Sequence, residues 1–297
     1  MIPSSSPRAR LIASLADYLA LTKPRVTLMV LITTLFGFYL GAREALALAL
    51  LLHTLVGTAL VAGGTSALNQ YLERHCDARM LRTRHRPLPA GRLKPSQALG
   101  FGALISAAGI AYLALWVNGL TALLAAVTLV SYVFVYTPMK TRSPLSTVVG
   151  AIPGALPPMG GWTAVRNEIS LEAWVLFAIL FIWQLPHFLA IAWIYREDYA
   201  RGGFRMLTVI DPAGYSAGRQ ILTNCLALLS VSLLPTLIGL TGRAYFFGAL
   251  ILGIGFLGAG LGVTLARDMA AARRLMHASL IYLPALLGMM AWDKTTF

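Results

Sequence analysis

Three polar side chains, Asn69, Glu73 and Asp77, recur at every fourth residue in a chain otherwise dominated by apolar runs. At about 100° per residue they drift only about 80° around a helix and cover roughly 12 Å of it, so one face carries all three. Two carboxylates stacked at this spacing repel each other unless a cation lies between or beside them. Magnesium suits such a pair, because it takes oxygen ligands and bridges carboxylates to substrate phosphates while keeping water. Directly behind come Arg82, Arg84 and Arg86, held before the rigid Pro87-Leu88-Pro89. Guanidinium forks grip phosphate oxygens in pairs. Acids for a metal beside arginines for a dianion point to a diphosphate better than either set alone. The competing reading has Arg74 and Arg79 pairing with these acids at the headgroup level.

A second polar segment offers Arg196, Glu197 and Asp198, with Arg201 and Arg205 beyond and Gly202-Gly203 to make a tight turn with exposed backbone donors. Asp198 and Asp77 are expected to hold metal from opposite sides of one cavity. Glu197 points about 100° away from Asp198 on a helix and ranks lower. Lys140, after Tyr136-Thr137-Pro138, and Arg142 lie within reach of the same phosphate. Asp211 precedes Pro212 and reads as a turn or helix-start residue. Lys23 and Arg25 either close the site or anchor a helix in headgroups.

The elements that position these groups are membrane helices. The chain is 58% hydrophobic and 12% charged, with mean hydropathy +0.72, whereas soluble chains are about a quarter charged. Spans of about 17–25 residues are required to cross the hydrocarbon. They are expected near 26–42, 46–72, 98–116, 120–137, 145–165, 172–194, 221–240, 245–265 and 277–292, which makes an all-α, polytopic bundle of nine transmembrane helices. The fifth contains Gly150, Pro153, Pro157, Pro158, Gly160 and Gly161 and is expected to be kinked or interrupted. The basic loops after the second and sixth spans suggest a loose internal repeat.

All Lys and Arg except Arg43, Arg166, Arg243 and Lys294 fall on one side of these spans. The positive-inside rule then places the N-terminus and both polar loops in the cytoplasm and the C-terminus in the periplasm. The same mapping removes nucleic acid as the reason for the net charge of +13, since the charges flank spans and meet lipid headgroups. Residues 1–20 read as a short cytoplasmic tail, neither a signal peptide nor a mitochondrial presequence, within a single domain of 1–297 in a bacterial inner membrane. Cys76 and Cys225 make neither a disulfide nor a metal site. His187 alone among the histidines lies well inside a span, where a polar residue is a functional candidate by default. Haem ligation, a hydrogen bond to substrate, proton handling and a histidine satisfied by a neighbouring helix are its readings. His53, His75, His85 and His277 read as interfacial or packing residues.

The segment from Asn69 to Gly91 resembles the signature of the UbiA superfamily of intramembrane prenyltransferases, which usually reads Asn-x3-Asp-x3-Asp followed by Arg-x-x-Arg-Pro. Leu21 to Arg25, Tyr136 to Lys140, Gly150 to Trp162 and Trp183 to Met206 extend the resemblance toward its haem-farnesylating branch. Trp183-Gln-Leu-Pro-His187 and Arg196-Glu-Asp-Tyr-Ala-Arg-Gly-Gly203 distinguish that branch from quinone prenyltransferases. Glu73 departs from the usual aspartate. Its extra methylene moves the carboxylate while still presenting oxygen to magnesium.

The resemblance implies that farnesyl diphosphate alkylates a vinyl group of haem B, with water completing the side chain and diphosphate leaving. It implies magnesium on Glu73, Asp77 and Asp198, and phosphate contacts from Asn69, Arg82, Arg86, Lys140 and Arg196, with Lys23 and Arg25 at the margin and His187 toward haem. Haem A synthase or a terminal oxidase is the implied assembly partner. A prenyltransferase acting on a quinone precursor or chlorin is the near alternative. A transporter is the distant one, and it needs an outward path that these one-sided groups do not offer.

Overall fold

The computed structural model describes residues 7–43 and 46–295. Its helices are α1 (Pro7–Leu21), α2 (Pro24–Gly41), α3 (Leu48–Arg79), α4 (Pro95–Trp116), α5 (Gly119–Val130), α6 (Thr137–Met139), α7 (Ser146–Arg166), α8 (Leu171–Ile194), α9 (Arg196–Gly202), α10 (Leu207–Ile210), α11 (Tyr215–Val231), α12 (Leu234–Leu237), α13 (Arg243–Ala266) and α14 (Met269–Trp292). Among the described residues eight helical segments are long and apolar enough to cross a membrane. The protein is therefore a multi-pass, all-α membrane bundle. Leu104, Leu115, Ile251 and Leu265 are largely exposed on its outside, as expected of a surface whose solvent is lipid.

The expected fifth span is not among those eight. It is nevertheless one helix, α7, with Pro153, Pro157 and Pro158 inside it, so of the expected kink or interruption the second does not occur. Each proline removes one backbone donor, and neighbouring helices support the rest of the turn. Close packing against α2 supplies that support. A side chain at Gly37 would collide with the Pro158 carbonyl, and one at Gly161 with the Thr34 carbonyl. The two backbones touch because neither residue has a Cβ.

Two other spans are less regular than expected. The fourth, Gly119–Met139, passes from α5 into α6 through a π-helical turn at Ser131–Tyr136. The seventh is divided into α11 and α12 just before Pro235. α8 is the most enclosed span, packed by α7, α11 and α14, and its apolar residues run all round it, as a central helix requires. The main core gathers there: Trp162, Leu176, Ile179, Leu189, Ile221 and Leu286 are almost wholly buried. His53, read from sequence as packing, bonds Tyr112 (2.7 Å) and stacks on Trp116.

Candidate active site

The face predicted for α3 exists. Asn69 and Asp77 are fully buried and Glu73 is 7% exposed. Each receives a cation from a different element. Lys23 Nζ donates to Asn69 Oδ1 at 2.8 Å, Lys140 Nζ to Glu73 Oε1 at 2.7 Å, and Arg86 Nη1 to Asp77 Oδ2 at 2.7 Å. Asn69 uses its amide group to donate to Thr137 Oγ1 at 3.0 Å. Asp77 Oδ1 is buried with no hydrogen-bond partner. A carboxylate oxygen held away from both water and donors is costly, so it is an open coordination position for a cation.

The cations are aimed by local backbone choices. Lys23 lies in the turn between α1 and α2 with φ of 47°, a left-handed conformation that few non-glycine residues adopt and that concentrates at functional sites. Pro24 then starts α2. Buried Gln70, next to Asn69 on α3, donates to the Leu21 carbonyl at 2.8 Å and pins that turn. Lys140 follows the π-helical turn, and its carbonyl accepts from the Arg205 amide at 2.8 Å. Arg86 closes the turn after α3. There, buried Thr83 donates through its hydroxyl to the Asp77 carbonyl at 2.9 Å.

Charge state follows from this crowding. Burial, then the neighbouring Arg86 charge, lowers Lys23 to about 7 despite the nearby acids. Burial works most strongly against the charge on Lys140, but Glu73, by charge and hydrogen bond, together with Tyr136 and Tyr132 more than offsets it and holds that ammonium well above the ordinary lysine value. Among the described residues no three of His, Cys, Asp and Glu form a metal cluster. Magnesium needs fewer, because one or two carboxylates plus substrate phosphates and water complete its shell. Glu73 and Asp77, with the free Oδ1, fit that requirement.

The second polar segment is built differently. Asp198 Oδ1 accepts from the Leu81 amide at 2.8 Å and from Arg201 at 2.7 Å, and Oδ2 accepts from the Arg82 amide at 3.1 Å. Burial alone would raise its pKa, but Arg201 and the two amides hold it below the usual carboxylate value. Its oxygens thus grip the turn that follows α3, not a shared opening with Asp77. Arg82 lies over the Tyr195 ring at 5.2 Å, and Arg196 donates to the Pro212 carbonyl at 3.3 Å. Both line a separate pocket of about 330 Å³ with Glu197, Asp198 and Arg201. Arg25 is exposed. Of the expected phosphate groups, Asn69, Arg86, Lys140 and Lys23 converge; Arg82, Arg196 and Arg25 do not join them. Asp211 caps the start of α11 through the Gly214 and Ser216 amides, as its place before Pro212 suggested.

Half-buried His187 lies on α8 and bonds Ser279 of α14 through Nδ1 at 2.6 Å. Trp183, one turn earlier, stacks on its ring. Gln70, Thr83, Thr137 and Ser279 escaped the sequence reading. Only Gln70 carried a signal, as an uncharged polar residue adjoining the acidic face.

The UbiA prenyltransferase family profile matches residues 30–283. The chain is 50% identical over 287 residues to a protoheme IX farnesyltransferase of Solibacter usitatus, covering 94% of this chain and 98% of the relative. It is 43% identical to the protein of that name from Koribacter versatilis, over 99% of this chain and 98% of that one. Among solved structures, a digeranylgeranylglyceryl phosphate synthase superposes with a TM-score of 0.80 at 16% identity, covering 94% of this chain and 98% of the other. A UbiA homolog from Archaeoglobus fulgidus bound to GPP and Mg2+ superposes with a TM-score of 0.65 at 16% identity, covering 92% and 99%. At such identities the structures speak to the fold alone.

Proposed function

The chain belongs to the UbiA prenyltransferase family, and on that premise we propose that it transfers the farnesyl group of farnesyl diphosphate to a vinyl group of protohaem IX, with water adding to the other vinyl carbon and losing a proton, giving haem O and diphosphate. The observation that carries this reading is the α3 face, where three cations from three elements meet Asn69, Glu73 and Asp77. Relatives at up to 50% identity and near-full coverage carry the name protoheme IX farnesyltransferase and supply the acceptor.

In this reading Glu73 and Asp77 hold magnesium, with Asp77 Oδ1 as the open position. When bound, the ion supplies charge that stabilises the departing diphosphate. Lys23, Lys140 and Arg86 exchange their present partners for phosphate oxygens, and Asn69 orients them. Asp198, with Arg201, fixes the turn that carries Arg82 to Arg86. Arg82 and Arg196 act on that turn and its pocket, and Arg25 on the headgroups. Enclosure by apolar helices keeps water from the allylic carbon until the vinyl group reacts.

The same reading places α7 as the ninth membrane span. It sets the protein in a bacterial inner membrane with the basic end cytoplasmic and the C-terminus periplasmic, and takes residues 1–297 as one domain. Delivery of haem O to a haem A synthase or a terminal oxidase is the corresponding partnership. The decisive experiment supplies purified protein in detergent with haem B, farnesyl diphosphate and magnesium, and follows haem by chromatography and mass. Haem O is expected only when all three are present. Efficient prenylation of 4-hydroxybenzoate with an unchanged haem peak overturns the assignment.

A further inference from the structure

Ser279 Oγ lies 2.6 Å from the Met276 carbonyl oxygen and 2.6 Å from His187 Nδ1. A carbonyl only accepts, and a serine hydroxyl has one proton. That proton goes to Met276. Ser279 therefore offers His187 a lone pair, and the proton between them belongs to the imidazole. The network assigns His187 as the Nδ1–H tautomer, with the free lone pair on Nε2. Nε2 has no hydrogen-bond partner among the described residues and is not among the buried unpartnered atoms.

The ring is also held mechanically. Trp183 stacks on it with centroids 5.0 Å apart and planes 14° from parallel. The Trp183 indole N–H donates to the Ser279 carbonyl at 3.1 Å, so one residue covers the imidazole and anchors the backbone of its partner. This is the arrangement that orients a metal-binding histidine: the nitrogen remote from the metal donates to a fixed acceptor. Yet among the described residues no group of three His, Cys, Asp or Glu side chains is placed to hold a free ion. A lone imidazole suits a metal that arrives with its other ligands already in place, as iron does in a porphyrin.

We propose that His187 Nε2 ligates the iron of the haem substrate, and that Ser279 is the positioning residue that fixes its tautomer. This rests on the reading that haem is the acceptor.

The test titrates purified parent, His187→Ala, Ser279→Ala and Ser279→Thr proteins with haem B and with metal-free protoporphyrin, following the Soret band. Haem is expected to shift the parent band, and His187→Ala to abolish that shift until imidazole is added. Ser279→Ala should bind haem about 10-fold more weakly, the usual effect of losing such a partner, while Ser279→Thr should match the parent. Metal-free porphyrin should bind the parent more weakly than haem and ignore all three substitutions. If His187→Ala does not fold, the parent's discrimination between the two porphyrins carries the test. Parent-like haem spectra in His187→Ala, equal affinity for both porphyrins, or a Ser279→Ala protein that loses only thermal stability would overturn the inference. Haem O formed by the parent in the same preparation shows that such a failure leaves the functional reading standing. A parent that neither binds haem nor makes haem O ends both.

Discussion

Two segments, Asn69–Asp77 and Arg196–Arg205, each carry a pair of acids beside arginine, and the fold uses them in opposite ways. On α3 the carboxylates meet only side-chain cations, and Asp77 keeps one buried oxygen unpartnered. On α9 the Asp198 carboxylate is filled by two backbone amides and Arg201. Side-chain partners can leave when a better anion or cation arrives; backbone amides are part of the fold. The first segment is arranged for exchange and the second for support. Arg205 repeats that logic by holding the Lys140 carbonyl through its own amide.

Substitution at each segment tests this contrast. Asp77→Ala should lower haem O formation by about 1000-fold, the upper range for loss of one preorganised electrostatic contact. A rate near the parent's, measured by chromatography, would break the comparison. Glu73→Gln should cost about 100-fold in turnover and also stability. Lys140 and Glu73 side chains are only 11% and 9% exposed, and removing one partner of a buried pair costs about 3–5 kcal/mol. Adding Lys140→Met should recover the melting temperature without recovering activity. Glu73→Asp, which restores the family's commoner residue, should remain active.

Asp198→Asn sharpens the contrast more finely. A supporting role predicts a KM for farnesyl diphosphate raised about 10-fold, on the scale of one charge-assisted hydrogen bond, with the magnesium concentration for half-maximal rate unchanged. A large shift in that concentration would make Asp198 a ligand and erase the distinction.

The smallest effect concerns Lys23. Unfolded, it keeps its proton to about 10.5; folded, it releases it near 7. The folded chain binds fewer protons between those values, so Lys23 contributes a rise in stability with pH from about 7 to 10.5, and its penalty is full below 7. Lys23→Met should flatten that rise in melting temperature, stabilise the substrate-free protein at neutral pH, and weaken farnesyl diphosphate binding.

Periodicity made much of this legible. Apolar runs located the spans, because lipid restricts the chain to helices, although α3 runs on to Arg79 and α11 and α14 begin earlier, at Tyr215 and Met269; the four-residue spacing put Asn69, Glu73 and Asp77 on one face. What it hid depended on tertiary partners. Nothing local reveals that Asp198 finds the Leu81 and Arg82 amides, more than a hundred residues earlier in the chain. Neither can the prolines of α7 announce that glycines on α2 and α7 let the two backbones press together. Thr137 and Ser279 look like ordinary hydroxyls in apolar sequence until a partner helix is placed beside them.

The turn at Ser131–Tyr136 carries one more lesson. A π-turn accommodates a surplus residue in an otherwise α-helical run. The wide turn absorbs that residue, so the helix beyond keeps its bearing; were the same residues wound as a regular α-helix, everything beyond would swing by about 100°, carrying the lysine away from its glutamate. Aim in this enzyme therefore depends on counting as well as on chemistry: a single-codon deletion in this greasy, outwardly unremarkable stretch is expected to be taken up by the wide turn, whereas a further inserted residue is expected to silence the protein while leaving every charged side chain in its sequence untouched.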